Sequence, residues 1–412
     1  MDLINLLTLL MVMMAAFAFI NVRYLKLPET IGLMIISIIA SVIVIIIGHF
    51  ETPVYTYVKN VVDDIDFNKV LFDFMLSFLL FAGASHTDFK TLRENKFQIV
   101  MMATVGIMLS TLIIGGFAYL ILTLMMGLEV ALIYCIIFGA LISPTDPIAV
   151  LGILVQAKVP KKIEVTIVGE SLFNDGVGVV IFVILFTIAQ VGIEKIEPSD
   201  VVILVSKEVI GGLGLGFLLG WGTYELLRRI DHYQTEIMIT LAVVMGGYLL
   251  ARKLHFSGPL AMVVAGLFTG SRTKKEAMSE TTRDYVYKFW EMIDVLLNAL
   301  LFLIMGFEII IIQFEWHFFY ASIMMIPVVL LGRYLAIVAP KPIFPNRLNT
   351  DRKTDFILTW GGLRGGISIA MALSLAGIPN YHFIVFLTYA VVMFSIIVQG
   401  LTIGKFVKRY FG

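Results

Sequence analysis

The chain has 412 residues, of which 59% are hydrophobic and 15% charged, against roughly 45–50% and about 25% in soluble domains. Thirty Lys and Arg offset thirty Asp and Glu. With no basic excess to draw polyanions and so little polar surface, a nucleic-acid binder, a disordered chain and an ordinary soluble enzyme are excluded. This much Leu, Ile, Val, Met and Phe requires lipid as solvent. The single cysteine, Cys135, leaves no disulfide framework or cysteine-based metal cluster. The first apolar run lacks a basic leader, so it reads as a membrane span and not as a cleaved signal peptide.

A span needs about 20 residues at a rise of ~1.5 Å each. Cut at charged, proline and Asn/Asp/Gly clusters, the chain gives thirteen apolar segments, near 3–22, 29–48, 69–86, 98–125, 129–157, 163–191, 201–227, 236–252, 257–271, 285–312, 317–339, 354–377 and 381–404. The weakest division is at Arg252-Lys253-Leu254-His255, between two shortish helices. The longer connection from Glu51 to Phe67 has room for a short surface helix. No soluble domain is expected. The fold class is therefore an all-α polytopic membrane protein of about thirteen transmembrane helices.

Lys and Arg counts set the orientation. Alternate loops and the C-terminal tail hold twenty-two of them, from Arg23 and Lys26 through the cluster Arg272, Lys274, Lys275, Arg283 and Lys288 to Lys405, Lys408 and Arg409. The opposite loops hold five: Lys59, Lys69, Lys195, Arg252 and Lys253. The C-terminus is accordingly expected in the cytoplasm and, with thirteen spans, the N-terminus outside, in a multi-pass protein of the plasma (cell inner) membrane.

Five ionisable residues fall inside apolar helices: Asp146, Glu170, Asp175, Arg333 and Arg364. Their gross insertion penalty is on the order of 12–18 kcal/mol. Three acids against two arginines leave one negative charge over, which invites a cation or a proton. Mutually neutralised packing clamps are the other reading.

Three clusters organise these charges. Ser143-Pro144-Thr145-Asp146-Pro147 sits in the middle of the fifth segment. Two prolines three apart each remove an amide donor and clash with the preceding turn, so the helix breaks. Free carbonyls are tolerated at membrane depth where they line a cavity; with two hydroxyls and a carboxylate they form a hard-oxygen setting for a small cation. A plain proline kink is the alternative. In Gly169-Glu170-Ser171-Leu172-Phe173-Asn174-Asp175-Gly176 of the sixth segment, Glu170 and Asn174 share a face, as do Ser171 and Asp175. That polar strip faces the protein interior, with Asp175 the best carboxylate to hold a metal ion or a proton and Glu170 suited to a buried arginine. In the twelfth segment, Gly361-Gly362-Leu363-Arg364-Gly365-Gly366 weakens the helix. Arg364 can neutralise half-helix ends or an acid across the site; close glycine packing is the other reading.

Segments near 3–191 and 236–404 form two six-span halves joined by 201–227, and the odd linker gives them opposite orientations. Both breaks fall in the fifth helix of a half. Interrupted helices at matching positions of inverted halves point to a transporter's midplane ion site.

Four stretches carry a likeness to a known family: Ser143–Pro147, Gly169–Gly176, Phe289-Trp290-Glu291 leading to Leu301–Glu308, and Gly361–Gly366. Together they resemble the monovalent cation:proton antiporters of NhaP/NHE type, over essentially the whole chain. The resemblance implies a thirteen-helix inverted-repeat fold with a dimerisation domain and a mobile core. It further implies exchange of Na⁺ (or Li⁺, sometimes K⁺) for H⁺, usually by a homodimer. It places Asp175 as the ion- and proton-binding aspartate with Asn174 beside it, an Asn-Asp pair typical of electroneutral members. It adds Asp146, the Thr145 carbonyl and Ser171 to the Na⁺ site, makes Glu170 and Arg333 a structural ion pair, and gives Arg364 to the second unwound helix. One departure stands out: many relatives have an acid where this chain has Ala82, and alanine neither coordinates a cation nor gates charge.

The expected partners are monovalent cations, protons and membrane lipids, together with a second copy in the homodimer that the resemblance implies; no nucleic acid and no cofactor is expected. Alternatives are a K⁺/H⁺ exchanger of the same fold and a passive cation channel, although a pore needs sites weak enough to release ions quickly. Lesser signals have simpler readings. The glycines from Gly211 to Gly222 serve helix packing and not a nucleotide loop. His49, His86, His232, His255, His317 and His382 sit near span ends or in loops, where hydration is the simple role. Asp73, Glu291 and Asp294 lie toward membrane edges, as ordinary interfacial acids or as the lining of an entry funnel.

Overall fold

A helix satisfies all of its backbone polar groups within one segment, so apolar spans fold as helices in lipid. The computed structural model describes residues 3–48, 52–63, 65–192, 197–348 and 350–411; His49, Glu51 and Lys195 lie outside the described residues. Among those described there is no strand, and ten helices are long and apolar enough to cross a membrane, from Ile4–Leu25 to Tyr381–Phe411. Three other apolar runs are shaped differently. Leu132–Ile142 and Ile148–Gln156 are two halves around the prolines, and Arg352–Trp360 and Gly366–Leu373 are two halves around the glycines. Gly258–Phe268 continues without a break as a charged helical extension, through the π-helical turn Thr269–Thr273, to Glu276. The connection after Glu51 carries the helix Thr52–Asp63.

Side-chain caps fix where several helices begin. Ser257 accepts from Leu260 N, Ser279 from Thr282 N and Asp351 from Thr354 N. The hydroxyls of Ser279 and Thr282 also donate to Asp231 at 2.7 and 2.8 Å, and hold that loop carboxyl below the usual carboxylate range.

The helices associate in two packs. Glu280–Phe307 lies against Glu29–Gly48, Leu76–His86 and Tyr233–Leu254, and Gly258–Phe268 joins them through Leu76–His86. In the second pack, Leu132–Ile142 lies between Ile107–Tyr119 and Lys161–Val191, and Trp316–Val338 joins Ile107–Tyr119 to Arg352–Trp360 and Tyr381–Phe394. Pro198–Leu227 runs beside Gly258–Phe268. There Gly212, Gly216 and Gly220 meet Ser257, Ala261 and Phe268 so closely that a Cβ would collide. The glycine run is therefore a close helix contact.

Candidate functional site

The two breaks meet. With amide donors missing at Pro144 and Pro147, the first helix stops at Ile142 and resumes at Ile148. Asp146 fills the gap. Its backbone N–H donates to the Leu363 carbonyl in the second break at 2.8 Å. Its carboxylate accepts from Ile148 N–H at 2.9 Å, at the positive end of the resumed half-helix. Gly365 sits so close that a Cβ there would occupy the place of the Asp146 carboxylate. The glycine cluster is thus what lets the two unwound segments cross.

Helix Lys161–Val191 clamps the first break. Ser171 Oγ donates to the Thr145 carbonyl, Asn174 Nδ2 donates to Thr145 Oγ1 at 2.8 Å, and Thr145 N–H donates to Asn174 Oδ1 at 3.4 Å. One residue further on, Asp175 is 9% exposed and has no hydrogen-bond partner among the described residues. It faces a cavity of about 310 Å³ together with Asp146 and Ser171. Thr145 and Asn174 lie behind that wall and bond each other.

The remaining buried charges are disposed separately. Arg333 holds Glu170 with both guanidinium ends: Nη1 to Oε1, and Nη2 to Oε2 at 2.8 Å. Both residues are buried. Nη2 also reaches the Leu358 carbonyl at 3.4 Å, which ties the pair to the second interrupted helix. Arg364 makes no ion pair among the described residues; its Nη1 donates to the Pro144 carbonyl at 3.4 Å. The negative excess inferred from the sequence therefore falls on Asp146 and Asp175, which face the cavity without a basic partner.

Several site-building residues carry no signal in the local sequence. The last helix contains a π-helical turn, Ser395–Gln399, a form frequent at functional sites. From it Ser395 Oγ accepts the Arg364 N–H at 3.0 Å, and Gln399 Nε2 donates to the Trp360 carbonyl at 2.9 Å. The frayed ends of the second break are satisfied by these two side chains. Glu291 and Asp294 line the cavity, which matches the lining alternative of the sequence reading. His86 corrects the hydrated-histidine reading. It lines the cavity with its ring edge-on to Tyr287 at 4.1 Å, and both its ring nitrogens are buried without a partner among the described residues. Asp73 does sit at an edge, paired with Arg252 at 2.7 Å. Ala82 is fully buried, and its neighbour Gly83 lines the cavity instead. At its other end the cavity reaches Thr87, Asp88, Lys161 and Glu164.

The family model described as sodium/hydrogen exchanger, transmembrane, matches residues 9–409. The chain is 46% identical over 399 residues to the Na⁺/H⁺ antiporter NhaP of Pseudomonas aeruginosa, covering 95% of this chain and 93% of that one. It is 32% identical to the Na⁺/H⁺ antiporter NhaH of Halobacillus dabanensis, over 94% and 93% of the two chains. Among solved structures, the sodium proton antiporter MjNhaP1 of Methanocaldococcus jannaschii superposes with a TM-score of 0.73 over 99% of both chains at 19% identity, a likeness of fold.

Proposed function

The chain belongs to the sodium/hydrogen exchanger family, and on that premise we propose that it exchanges Na⁺ for H⁺ with Asp175 as the carboxylate that holds the two in turn. It is a multi-pass membrane transporter and not an enzyme. The observation that carries the assignment to Asp175 is its placement: nine-tenths buried, without a partner, and facing the cavity where both helix breaks converge. Asp146 and Ser171 complete the cation's oxygen set from the cavity side, and the Thr145 carbonyl and Asn174 support it from behind. Glu170 with Arg333 fixes the helix beneath, and Arg364 steadies the crossing.

Competition for one carboxylate couples the fluxes. An empty, charged site resists movement through apolar surroundings, whereas a protonated or cation-loaded site carries less unbalanced charge. The loaded forms alternate between the two sides, one cation against one proton, so exchange is electroneutral. The architecture we assign is thirteen crossings in two inverted halves, 3–191 and 236–404, joined by 201–227. The packing supports it, since each half contributes helices to both packs. On the charge bias of the loops, the cavity mouth beside Lys161 is cytoplasmic, the C-terminus lies inside and the N-terminus outside. Two copies associate in the plasma membrane.

Proteoliposomes with an acid-loaded lumen and a pH dye test this. Adding Na⁺ outside should alkalinise the lumen, and Asp175→Asn should abolish the response. Protons compete with Na⁺ at the carboxylate, so raising the pH should lower the half-saturating Na⁺ by at most about tenfold per pH unit until scarce protons limit turnover. Exchange retained in Asp175→Asn, or a half-saturation independent of pH, would overturn the assignment. Cation current without proton movement would identify a channel.

A further inference from the structure

We propose that Asp294 is a further cation-binding acid of the transport path, on the wall opposite the two breaks, and that with Glu291 it hands Na⁺ down the cavity to Asp175 and Asp146. This rests on the antiport reading above and deepens it.

The wall is one face of one helix. Tyr287, Glu291, Asp294, Asn298 and Leu301 follow one another at spacings of four, three, four and three residues, the repeat that stacks side chains on a single helical stripe. Tyr287, Glu291, Asp294 and Leu301 of that stripe line the cavity that also holds Asp146 and Asp175. Exposure falls along it: Glu291 is exposed, Asp294 half-buried and Asn298 buried. Asn298 follows Asp294 on the stripe, and its Oδ1 is buried with no hydrogen-bond partner among the described residues. The stripe therefore steps from water to the depth of the breaks, one acid per turn, and ends in an apolar stop at Leu301.

Two features separate this from an incidental acidic patch. Asp175 in the same cavity is a nine-tenths buried carboxylate with no partner, so the space is built for a missing positive charge. Asp294 also makes no salt bridge among the described residues, whereas the edge acid Asp73 is held by Arg252. An unbalanced carboxylate at this depth is stabilised by a cation that passes through.

The test compares wild type, Asp294→Asn, Asp294→Glu and Glu291→Gln in proteoliposomes, with the rate measured against Na⁺ concentration at fixed pH. Asp294→Asn should raise half-saturating Na⁺ about three- to tenfold, with the saturating rate within about twofold of wild type. Glu291→Gln should raise it about twofold, and Asp294→Glu should restore most of the affinity. A purely structural role would lower the saturating rate or the thermal stability and leave half-saturation alone; that result overturns the proposal. If Asp294→Asn does not fold, the decision passes to Glu291→Gln, and an unchanged half-saturation there overturns the hand-over. Wild type that shows no Na⁺-driven exchange sinks the antiport reading itself, whereas wild-type exchange with an unshifted Asp294→Asn sinks only this inference.

Discussion

At the scale of single residues, the charges around the two breaks divide into one pair that holds the structure, an arginine bonded to a carbonyl, and two acids that face the cavity. Glu170 and Arg333 satisfy each other with parallel hydrogen bonds away from water, the geometry in which a guanidinium binds a carboxylate best. Removing one member leaves the other charged and buried. Arg333→Ala is expected to destabilise the detergent-solubilised protein by about 3–5 kcal/mol, read as a drop in its thermal unfolding temperature. Replacing both members together, as Glu170→Leu with Arg333→Met, should recover much of that loss, because no lone charge remains. Asp175→Asn is different in kind. It removes a charge that has no partner, so it should leave stability unchanged or raised while exchange is lost.

At the scale of elements, the functional unit is the crossing of two broken helices, and a third helix finishes it. The crossing is made by the Asp146 N–H on the Leu363 carbonyl and by the absence of a side chain at Gly365. Gly365→Ala should therefore push the Asp146 carboxylate aside and reduce exchange at least tenfold while the protein still folds, as a uniform gel-filtration peak and unchanged helical circular dichroism would report. The π-helical turn at Ser395–Gln399 supplies acceptors and donors that the broken helix has lost. Ser395→Ala leaves the buried Arg364 N–H without its acceptor, at about 1–3 kcal/mol, and thermal unfolding should register that loss.

At the scale of the whole molecule, the cavity lies between two helix packs, and on the proposed exchange, exposing Asp175 to the other side is expected to move one pack against the other. Leu301 on one pack touches Gly366 on the other: a Cβ at Gly366 would stand 3.1 Å from Leu301 Cγ. Exchanging the leucine for cysteine makes room for a cysteine opposite, within the reach of a disulfide. In a background with Cys135→Ser, the pair Leu301→Cys and Gly366→Cys should exchange when reduced, stop when oxidised and recover with reductant. Undiminished exchange by the oxidised, cross-linked protein would show that the packs need not slide.

The membrane class, the helical fold, both interruptions and the central acids were legible in the residues alone, because each is a local consequence of chemistry. Apolar runs must be helices in lipid, Pro144 and Pro147 must break one, and a carboxylate at depth demands a reason. What only the tertiary structure decided is pairing and facing. Nothing local to Ser395 or Gln399 shows that they cap a break 31 and 39 residues upstream, because those contacts arise between helices. In one dimension His86 reads as a hydrated end residue, and Glu291 and Asp294 stay open between interfacial acids and a funnel lining, since distance from a span's end does not tell which face meets a cavity. Sequence fixes what each segment is able to offer; packing selects which of those groups lose water, which find partners, and which are left waiting for an ion.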